Sequence, residues 1–115
     1  MTVEQLTYKC LKSVGLPLYL EEKTDKVEKD RYIVYLFDGD TIESFADDSA
    51  EQTETTIAVH LYCLKTDAEI FNLKKKIKKA LVEFGFSEPE MTACITEDKY
   101  RHIALATNIT MEVER

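Results

Sequence analysis

Residues 53–86, TETTIAVHLYCLKTDAEIFNLKKKIKKALVEFGF, decide the fold, because the spacing of apolar side chains changes abruptly within them. In residues 55–64 successive side chains point to opposite sides of the chain. One side carries Ile57, Val59, Leu61 and Cys63, and the other carries Thr56, Ala58, His60 and Tyr62. This alternation is typical of a β-strand with one buried face. Residues 67–84 have helical spacing instead, with an apolar stripe of Ile70, Leu73, Ile77, Ala80, Leu81 and Phe84. Gly85 supplies a helix stop, and Phe86 can fold back onto the last turn.

The size and composition predict one domain that covers residues 1–115. Hydrophobic residues make up 44% and charged residues 32%, which is ordinary for a soluble globular protein. Neither a long apolar run nor a signal-peptide pattern is visible, so we expect no membrane association. The net charge of −7 argues against sequence-independent DNA binding, which needs clustered Lys and Arg. It is compatible with a protein that DNA merely passes.

The three cysteines, Cys10, Cys63 and Cys94, are widely spaced and form no C-x-x-C motif. An odd number at such spacing predicts a reduced, intracellular protein whose cysteines are small core side chains.

The N-terminal half predicts a helix followed by two strands. Residues 2–5 have the form of a capping box, and the helix they begin should end at Gly15, before Pro17. We expect a short strand at 18–20, a charged loop at 21–30 and a strongly apolar strand at 31–38. A continuous apolar run of this kind predicts burial on both faces, or cover from a neighbouring subunit.

The segment after that strand is acidic. Residues 38–40, Asp-Gly-Asp, predict a turn, and residues 40–54 carry six acidic side chains and only two large apolar ones, Ile42 and Phe45. Long loops in small domains are usually functional or disordered. The acidic spacing fails the EF-hand pattern, which favours a solvated loop over a cation site.

The C-terminal part predicts strands around residues 91–95 and 101–113, separated by a turn at 97–99. The element order is then α-β-β-β-α-β-β. We therefore predict an α+β fold, with a mostly antiparallel or mixed sheet of about five strands and two helices packed on one face.

No pattern typical of an enzyme is present. His60 and Cys63 stand three apart on a strand and so face opposite sides, which prevents them from chelating one metal. The sequence contains no nucleophile elbow, phosphate loop or zinc-protease motif. We predict a protein that is not an enzyme, with no catalytic or metal-binding residue and no cofactor.

The lysine run 74–79, which is broken by Ile77, has two interpretations. One is a solvated face that complements the helix dipole. The other is a face that pairs with an acidic neighbour, such as the 40–54 loop of another copy. The predicted partner-contact residues are Phe45, Asp47, Asp48, Lys75, Lys78 and Lys79. Phe45 has an equal alternative as a core residue that anchors the loop.

Several segments together resemble a known family. They are residues 32–35 (YIVY), 45–48 (FADD), 57–62 (IAVHLY) and 77–81 (IKKAL), followed by Gly85-Phe86. In order and spacing these segments, with the short first helix, resemble the small tail-completion proteins of long-tailed bacteriophages, also called tail terminator or tail-to-head joining proteins. The final hairpin, with Tyr100-Arg101-His102, departs from the family pattern.

The resemblance implies a sheet with helices on one side and assembly into a ring, usually a hexamer, at the head-proximal end of the tail. The ring would end growth of the tail tube, contact the tail tube protein and present a surface to the head connector proteins. DNA would pass through its lumen without specific binding. The expected location is the virion tail, after synthesis in the cytoplasm of the bacterial host. Two alternatives are a host-encoded α+β binding or regulatory module that takes a ligand or peptide at a sheet edge, and a small hydrolase or metal enzyme.

Overall fold

The computed structural model describes residues 2–20, 29–43 and 52–112, with side chains described for all of these except 39–43 and 112. The elements follow the predicted order: α1 (Val3–Lys12), β1 (Leu18–Leu20), β2 (Arg31–Glu43), β3 (Gln52–Leu64), α2 (Ile70–Glu83), β4 (Glu90–Glu97) and β5 (Tyr100–Glu112). The strands form one sheet in the order β1-β2-β3-β5-β4. β1 pairs with β2 in parallel, and the other neighbours are antiparallel. The predicted α+β class with a mixed five-stranded sheet is confirmed.

Helix α1 begins with the predicted capping box. The backbone N–H of Gln5 donates to Thr2 Oγ1 at 3.1 Å, and the backbone N–H of Thr2 donates to Gln5 Oε1 at 3.0 Å. Two backbone donors at the helix start are thereby satisfied. The chain turns away after Lys12 through Gly15, whose φ of +88° lies in the region that favours glycine.

Helix α2 buries the predicted stripe, with Ile70, Ile77 and Leu81 inaccessible or nearly so. The helix ends in a Schellman motif, in which the Phe86 N–H donates to Leu81 O and the Gly85 N–H donates to Val82 O. Gly85 has φ +98°, and the Phe86 side chain is buried. The predicted helix stop and the return of Phe86 to the last turn are both confirmed.

One hydrophobic core joins both helices to the same face of the sheet. Cys10 and Leu11 of α1 and the α2 stripe pack in a single cluster with inward side chains of the three central strands, including Ile33, Ile57, Val59, Leu61, Ile103 and Leu105. The alternation predicted for residues 55–64 is therefore confirmed, since Ile57, Val59, Leu61 and Cys63 are all fully buried. The opposite face carries no described helix.

The turn predicted at residues 38–40 is wrong. The β2–β3 ladder shifts register between Phe37 and Gly39 and then continues to the pair Glu43–Gln52. A β-bulge accommodates Asp38, the additional residue on β2. The Asp-Gly-Asp signal therefore marks an irregularity inside a strand. β5 supports the same ladder as far as Gln52–Glu112. The acidic stretch thus begins and ends in strand, and its residues 44–51, with Phe45, Asp47 and Asp48, lie outside the described residues.

Two of the three cysteines are core residues as predicted. Cys10 and Cys63 are fully buried, and burial raises their pKa values to about 12 and about 11, which keeps both thiols protonated. The prediction is wrong for Cys94, which is exposed. Cys94 lies on β4, the outermost strand of the sheet, where nearly every residue is exposed.

Candidate interaction surfaces

The helix-free face of the sheet carries a row of stacked rings. β2, β3 and β5 contribute Tyr32, Tyr62 and His102, which are register partners across the two ladders. The rings of Tyr32 and Tyr62 are 4.7 Å apart and 7° from parallel, and those of Tyr62 and His102 are 4.4 Å apart and 4° from parallel. We call these three residues the aromatic row. Cross-strand ring pairs of this kind stabilise the sheet and fix its register.

Two further tyrosines close the β2 end of the aromatic row. Tyr19 of β1 and Tyr100 of β5 meet the Tyr32 ring edge-on, at centroid distances of 6.0 and 5.7 Å. The Tyr100 hydroxyl donates to Lys29 O at 2.9 Å. Burial raises the pKa of the Tyr32 hydroxyl to about 12, so it stays neutral. The rings of the aromatic row stack face to face with one another. The row is therefore poorly suited to stacking nucleic-acid bases, which need accessible ring faces.

His60 of β3 meets His102, the β5 member of the aromatic row. His60 Nδ1 lies 2.6 Å from His102 Nε2, so one of these nitrogens donates a hydrogen and the other accepts it. Burial lowers the pKa of His60, while the negative charge of Asp38 opposes that shift. The sequence predicts His60 on the side of β3 opposite the buried face. In the structure its side chain is half-buried and hydrogen-bonded.

The sequence did contain one signal for this histidine pair. His60 and His102 both stand on the wetter side of alternating strands. Their contact depends on the β3–β5 register, which sets Tyr62 opposite His102 and makes His60 its diagonal neighbour. Sequence reasoning could not find the pair because periodicity gives the face of a strand but not its partner residues.

The second surface is a depression on the outer side of α2. Its volume is about 520 Å³, and it is lined by Lys75, Lys78, Lys79, Val82, Glu83 and Glu88. We call it the lysine depression. The structure therefore brings together the three lysines that the sequence singled out. The last turn of α2 contains no basic residue, so the interpretation that these lysines complement the helix dipole gains little support.

The ion pairs at the lysine depression are weak. Lys78 Nζ lies 3.5 Å from Glu88 Oε1, and Lys79 Nζ lies 3.9 Å from Glu83 Oε1. The Lys79 side chain is 78% exposed, and the Glu88 side chain is 75% exposed. Exposed pairs of this kind contribute only about 0–1 kcal/mol each. The lysines therefore remain able to exchange these partners for others.

The outer edge of the sheet formed by β4 is also apolar. Met91 and Ile95 are 48% and 44% exposed, and residues 91–96 carry no charge between Glu90 and Glu97. Acidic residues at both ends of an exposed edge strand discourage unselective pairing with other chains.

A third ion pair among the described residues has a structural role. Arg31 Nε and Nη2 donate to the two carboxylate oxygens of Asp67 at 2.6 and 3.0 Å, which ties the start of β2 to the turn before α2. Asp67 also accepts from the Glu69 N–H at 2.9 Å. The hydrogen bond from Arg31 is the main reason that the pKa of Asp67 is lowered.

Within residues 2–20, 29–43 and 52–112, no three His, Cys, Asp or Glu side chains are grouped so that they could hold a metal ion. Neither described helix has the length and apolar character needed to cross a membrane. No protein-family model matches the chain, and no curated protein matches it at a significant level.

Proposed function

We propose that this chain is a structural protein from the tail of a long-tailed phage or prophage, which forms a ring at the head-proximal end of the tail. In this role it would end growth of the tail tube and join the tail to the head. The proposal starts from the sequence resemblance to tail-completion proteins. It requires a domain whose exposed sheet is built for contact with other copies and other tail proteins.

The observation that carries the proposal is the length of the three central strands. β2, β3 and β5 each contain 13 residues, which corresponds to roughly 43 Å of extended chain. The longer helix, α2, contains 14 residues, which corresponds to about 21 Å. The central strands are therefore about twice as long as this helix. A small domain with such a long ribbon has sheet surface that a neighbouring subunit can cover.

The charge distribution agrees with the proposal. The net charge is −7, so a ring of several copies would carry a large negative charge. The lumen of such a negatively charged ring would repel the phosphate groups of DNA and let the DNA pass without holding it.

The first test is the size of the purified protein. We expect ring-shaped particles by negative-stain electron microscopy and one multiple of the 13.3 kDa chain by mass photometry, alone or after addition of the tail tube protein. Addition to polymerising tube protein should stop tube growth at a defined length. A monomer under all these conditions, together with unchanged tube length, would refute the proposal.

The second test is genetic. Removal of the gene from its phage or prophage should give tails of uncontrolled length that fail to join heads, and a copy supplied in trans should restore both properties. Normal tails in the deletion strain would exclude this function.

The aromatic row with the histidine pair favours a second candidate, a small binding module. The helix-free face presents rigid side chains of Tyr62 and His102 that a ligand or a peptide can contact. This candidate predicts a protein that stays monomeric at high concentration and shows chemical-shift changes at these residues when a ligand is added.

A further inference from the structure

Strand β4 is the part of the sheet that the two described helices leave open. Strands lie about 4.8 Å apart and a helix is about 10 Å wide, so one helix covers roughly two strands. Two helices therefore leave one strand of a five-stranded sheet without cover. Every residue of β4 is exposed except the partly buried Ala93, so β4 is that strand.

The positions of the helices explain why β4 is left open. α2 links β3 to β4 across the intervening β5, and a Cβ added at Gly85 would meet Ile109 Cδ1 of β5 at 4.0 Å. Burial raises the pKa of Tyr35 on β2, and the nearby Tyr8 of α1 adds to this shift, so α1 lies on the β2 side. The helix side of β4 is therefore next to α2 and away from α1.

One flank of α2 faces this open side. Its residues follow one another at spacings of four, three and four positions: Phe71, Lys75, Lys78 and Val82. The other flank of α2 lines a depression together with residues 13–14, just after α1. The flank that begins with Phe71 lies across the buried stripe from that depression, so it faces away from α1 and toward β4.

This flank is basic and has apolar ends. Phe71 and Val82 are 44% and 45% exposed. Lys74 Nζ lies 5.3 Å from the centre of the Phe71 ring, and Lys78 Nζ lies 3.5 Å from Oε1 of Glu88, in the segment that leads into β4. The helix as a whole contains five lysines and one glutamate, which gives it a net charge of +4.

The helix side of β4 supplies an uncharged floor. Met91 and Cys94 are register partners of Leu105 and Ile103, which are buried in the core, so all four residues lie on the helix side of the sheet. Met91 is 48% exposed, and Cys94 is exposed as well. We call this floor and the adjoining flank of α2 the open groove, which consists of Phe71, Lys75, Lys78, Val82, Met91 and Cys94.

The shape of the open groove favours a helix over an added strand. A helix packed beside α2 has its axis about 8–10 Å away, which places it above β4 and within reach of both flank and floor. A strand added to the edge of β4 would leave Phe71 and Val82 uncovered. That edge also has Glu90 and Glu97 at its ends and a register shift within it, and both features oppose strand pairing.

The charge of the open groove favours a different protein over a second copy. α1 contains two lysines and one glutamate, and α2 has a net charge of +4. Neither described helix of a second copy would therefore complement a lysine flank. A helix with acidic side chains would do so.

We propose that the open groove receives an amphipathic, acidic helix of another protein. Apolar side chains of this helix pack on Met91, Phe71 and Val82, and its carboxylates pair with Lys75 and Lys78. The flank from Phe71 to Val82 is about 16 Å long, which corresponds to about three helical turns of the partner. The contact goes beyond the ring proposed above and does not depend on it.

Cys94 provides a measurement in the unchanged chain. It is exposed on the floor of the open groove, whereas Cys10 and Cys63 are fully buried, so a thiol reagent such as dithionitrobenzoate reacts with Cys94 first. The probes are a panel of synthetic helices of about 15 residues, with leucines three and four positions apart and glutamate and alanine elsewhere.

A saturating acidic helix should slow the reaction of Cys94 at least about tenfold, because the reagent then reaches only the unoccupied fraction of the protein. The same panel with lysine in place of glutamate should not slow it. The proposal is wrong if no acidic helix protects Cys94, or if the basic helices protect it equally.

Two substitutions on β4 test the floor. Met91→Asp should weaken binding of the acidic helix at least about tenfold, because it places a charge on an apolar contact. Ile95→Asp is the matched control, since Ile95 is 44% exposed but is the register partner of His102, on the helix-free side. It should bind as the unchanged chain does. Equal weakening by both changes would indicate pairing along the strand edge and would overturn the proposal.

Two double substitutions test the flank. Lys75→Glu with Lys78→Glu should reverse the preference, so that the basic helices bind more tightly than the acidic ones. Lys65→Glu with Lys76→Glu makes the same charge change outside the open groove and should keep the preference for the acidic helices. A preference that stays unchanged in the first variant would refute the proposed pairing. Circular dichroism checks that each variant is folded.

A second copy as the occupant is tested by analytical ultracentrifugation. If the unchanged chain self-associates and Met91→Asp abolishes this association while Ile95→Asp does not, the open groove is covered by another copy and the proposed partner is wrong. Equal self-association of all three chains, with the acidic helix bound by the unchanged one, supports the proposal.

Discussion

His60 Nδ1 and His102 Nε2 share one hydrogen across 2.6 Å on the helix-free face of the sheet. The pair keeps this hydrogen bond when both rings are neutral and also when one ring is charged. Two charged rings would place an N–H against an N–H, so this hydrogen bond cannot form when both rings carry a second proton.

The first prediction follows from the lowered pKa of His60. Since the folded-state pKa lies below the unfolded value of about 6.5, the unfolded chain binds more protons in the interval between them. The contribution of neutral His60 to folding stability is therefore complete above about pH 6.5 and is lost as the pH falls through the folded-state pKa of His60. Thermal unfolding at pH 7.5 and at 5.5 should show a lower Tm at the acidic pH.

His60→Asn is the matched variant for this prediction, because the Asn amide group can occupy the place of Nδ1 without titrating. We expect the Tm of this variant to depend less on pH between 5.5 and 7.5. An unchanged dependence would show that other groups are responsible.

The second prediction concerns the core face of α2. Ile77 is fully buried among both helices and the sheet, so Ile77→Ala should lower the free energy of unfolding by about 3 kcal/mol through lost burial and a cavity. Lys76→Ala is the control, because Lys76 is exposed and its replacement should change stability by less than about 0.5 kcal/mol. Urea denaturation measures both. Equal effects of the two changes would contradict the packing described for the core.

The third prediction concerns the end of α2. Gly85 has φ +98°, and a Cβ there would meet only Ile109 Cδ1 at 4.0 Å, so the cost of a side chain is conformational rather than steric. Gly85→Ala should destabilise the protein by about 1 kcal/mol. Gly85→Asn should cost less, because Asn tolerates the left-handed region better. If Gly85→Ala lowers the free energy of unfolding by less than Gly85→Asn does in the same denaturation experiment, the result would argue against this helix ending.

The fourth prediction concerns the ion pair between Arg31 and Asp67. The hydrogen bond from Arg31 lowers the pKa of Asp67 below its usual value of about 3.9, so the contribution of the pair is present above that pH. It is lost as the pH falls through the folded-state pKa. Asp67→Asn should lower the Tm at pH 7 and reduce its loss on acidification.

Asn at position 67 keeps an oxygen that can accept from the Glu69 N–H, so this variant removes the charge of the pair while the turn before α2 retains its hydrogen bond. A Tm equal to that of the unchanged chain at pH 7 would show that the pair adds nothing to stability.

Local patterns in the sequence determined most of the fold. The capping box at Thr2, the period change after Leu64 and the glycine stop at Gly85 depend on contacts within a few residues, so they can be read directly from the chain. The same reasoning gave the buried face of β3 and the apolar stripe of α2. It also placed Lys75, Lys78 and Lys79 on one helix, where the structure gathers them around one depression.

Only the tertiary structure decided how the strands are paired. The turn expected at Asp38-Gly39-Asp40 became a bulge, because a long ladder with β3, itself supported by β5, outweighs a local turn preference. The β3–β5 register brought His60 to His102 and stacked Tyr62 on His102. Cys94 is exposed because its strand lies at the edge of the sheet. Strand order and register depend on residues far apart in the chain, and hydrophobic period carries no information about them.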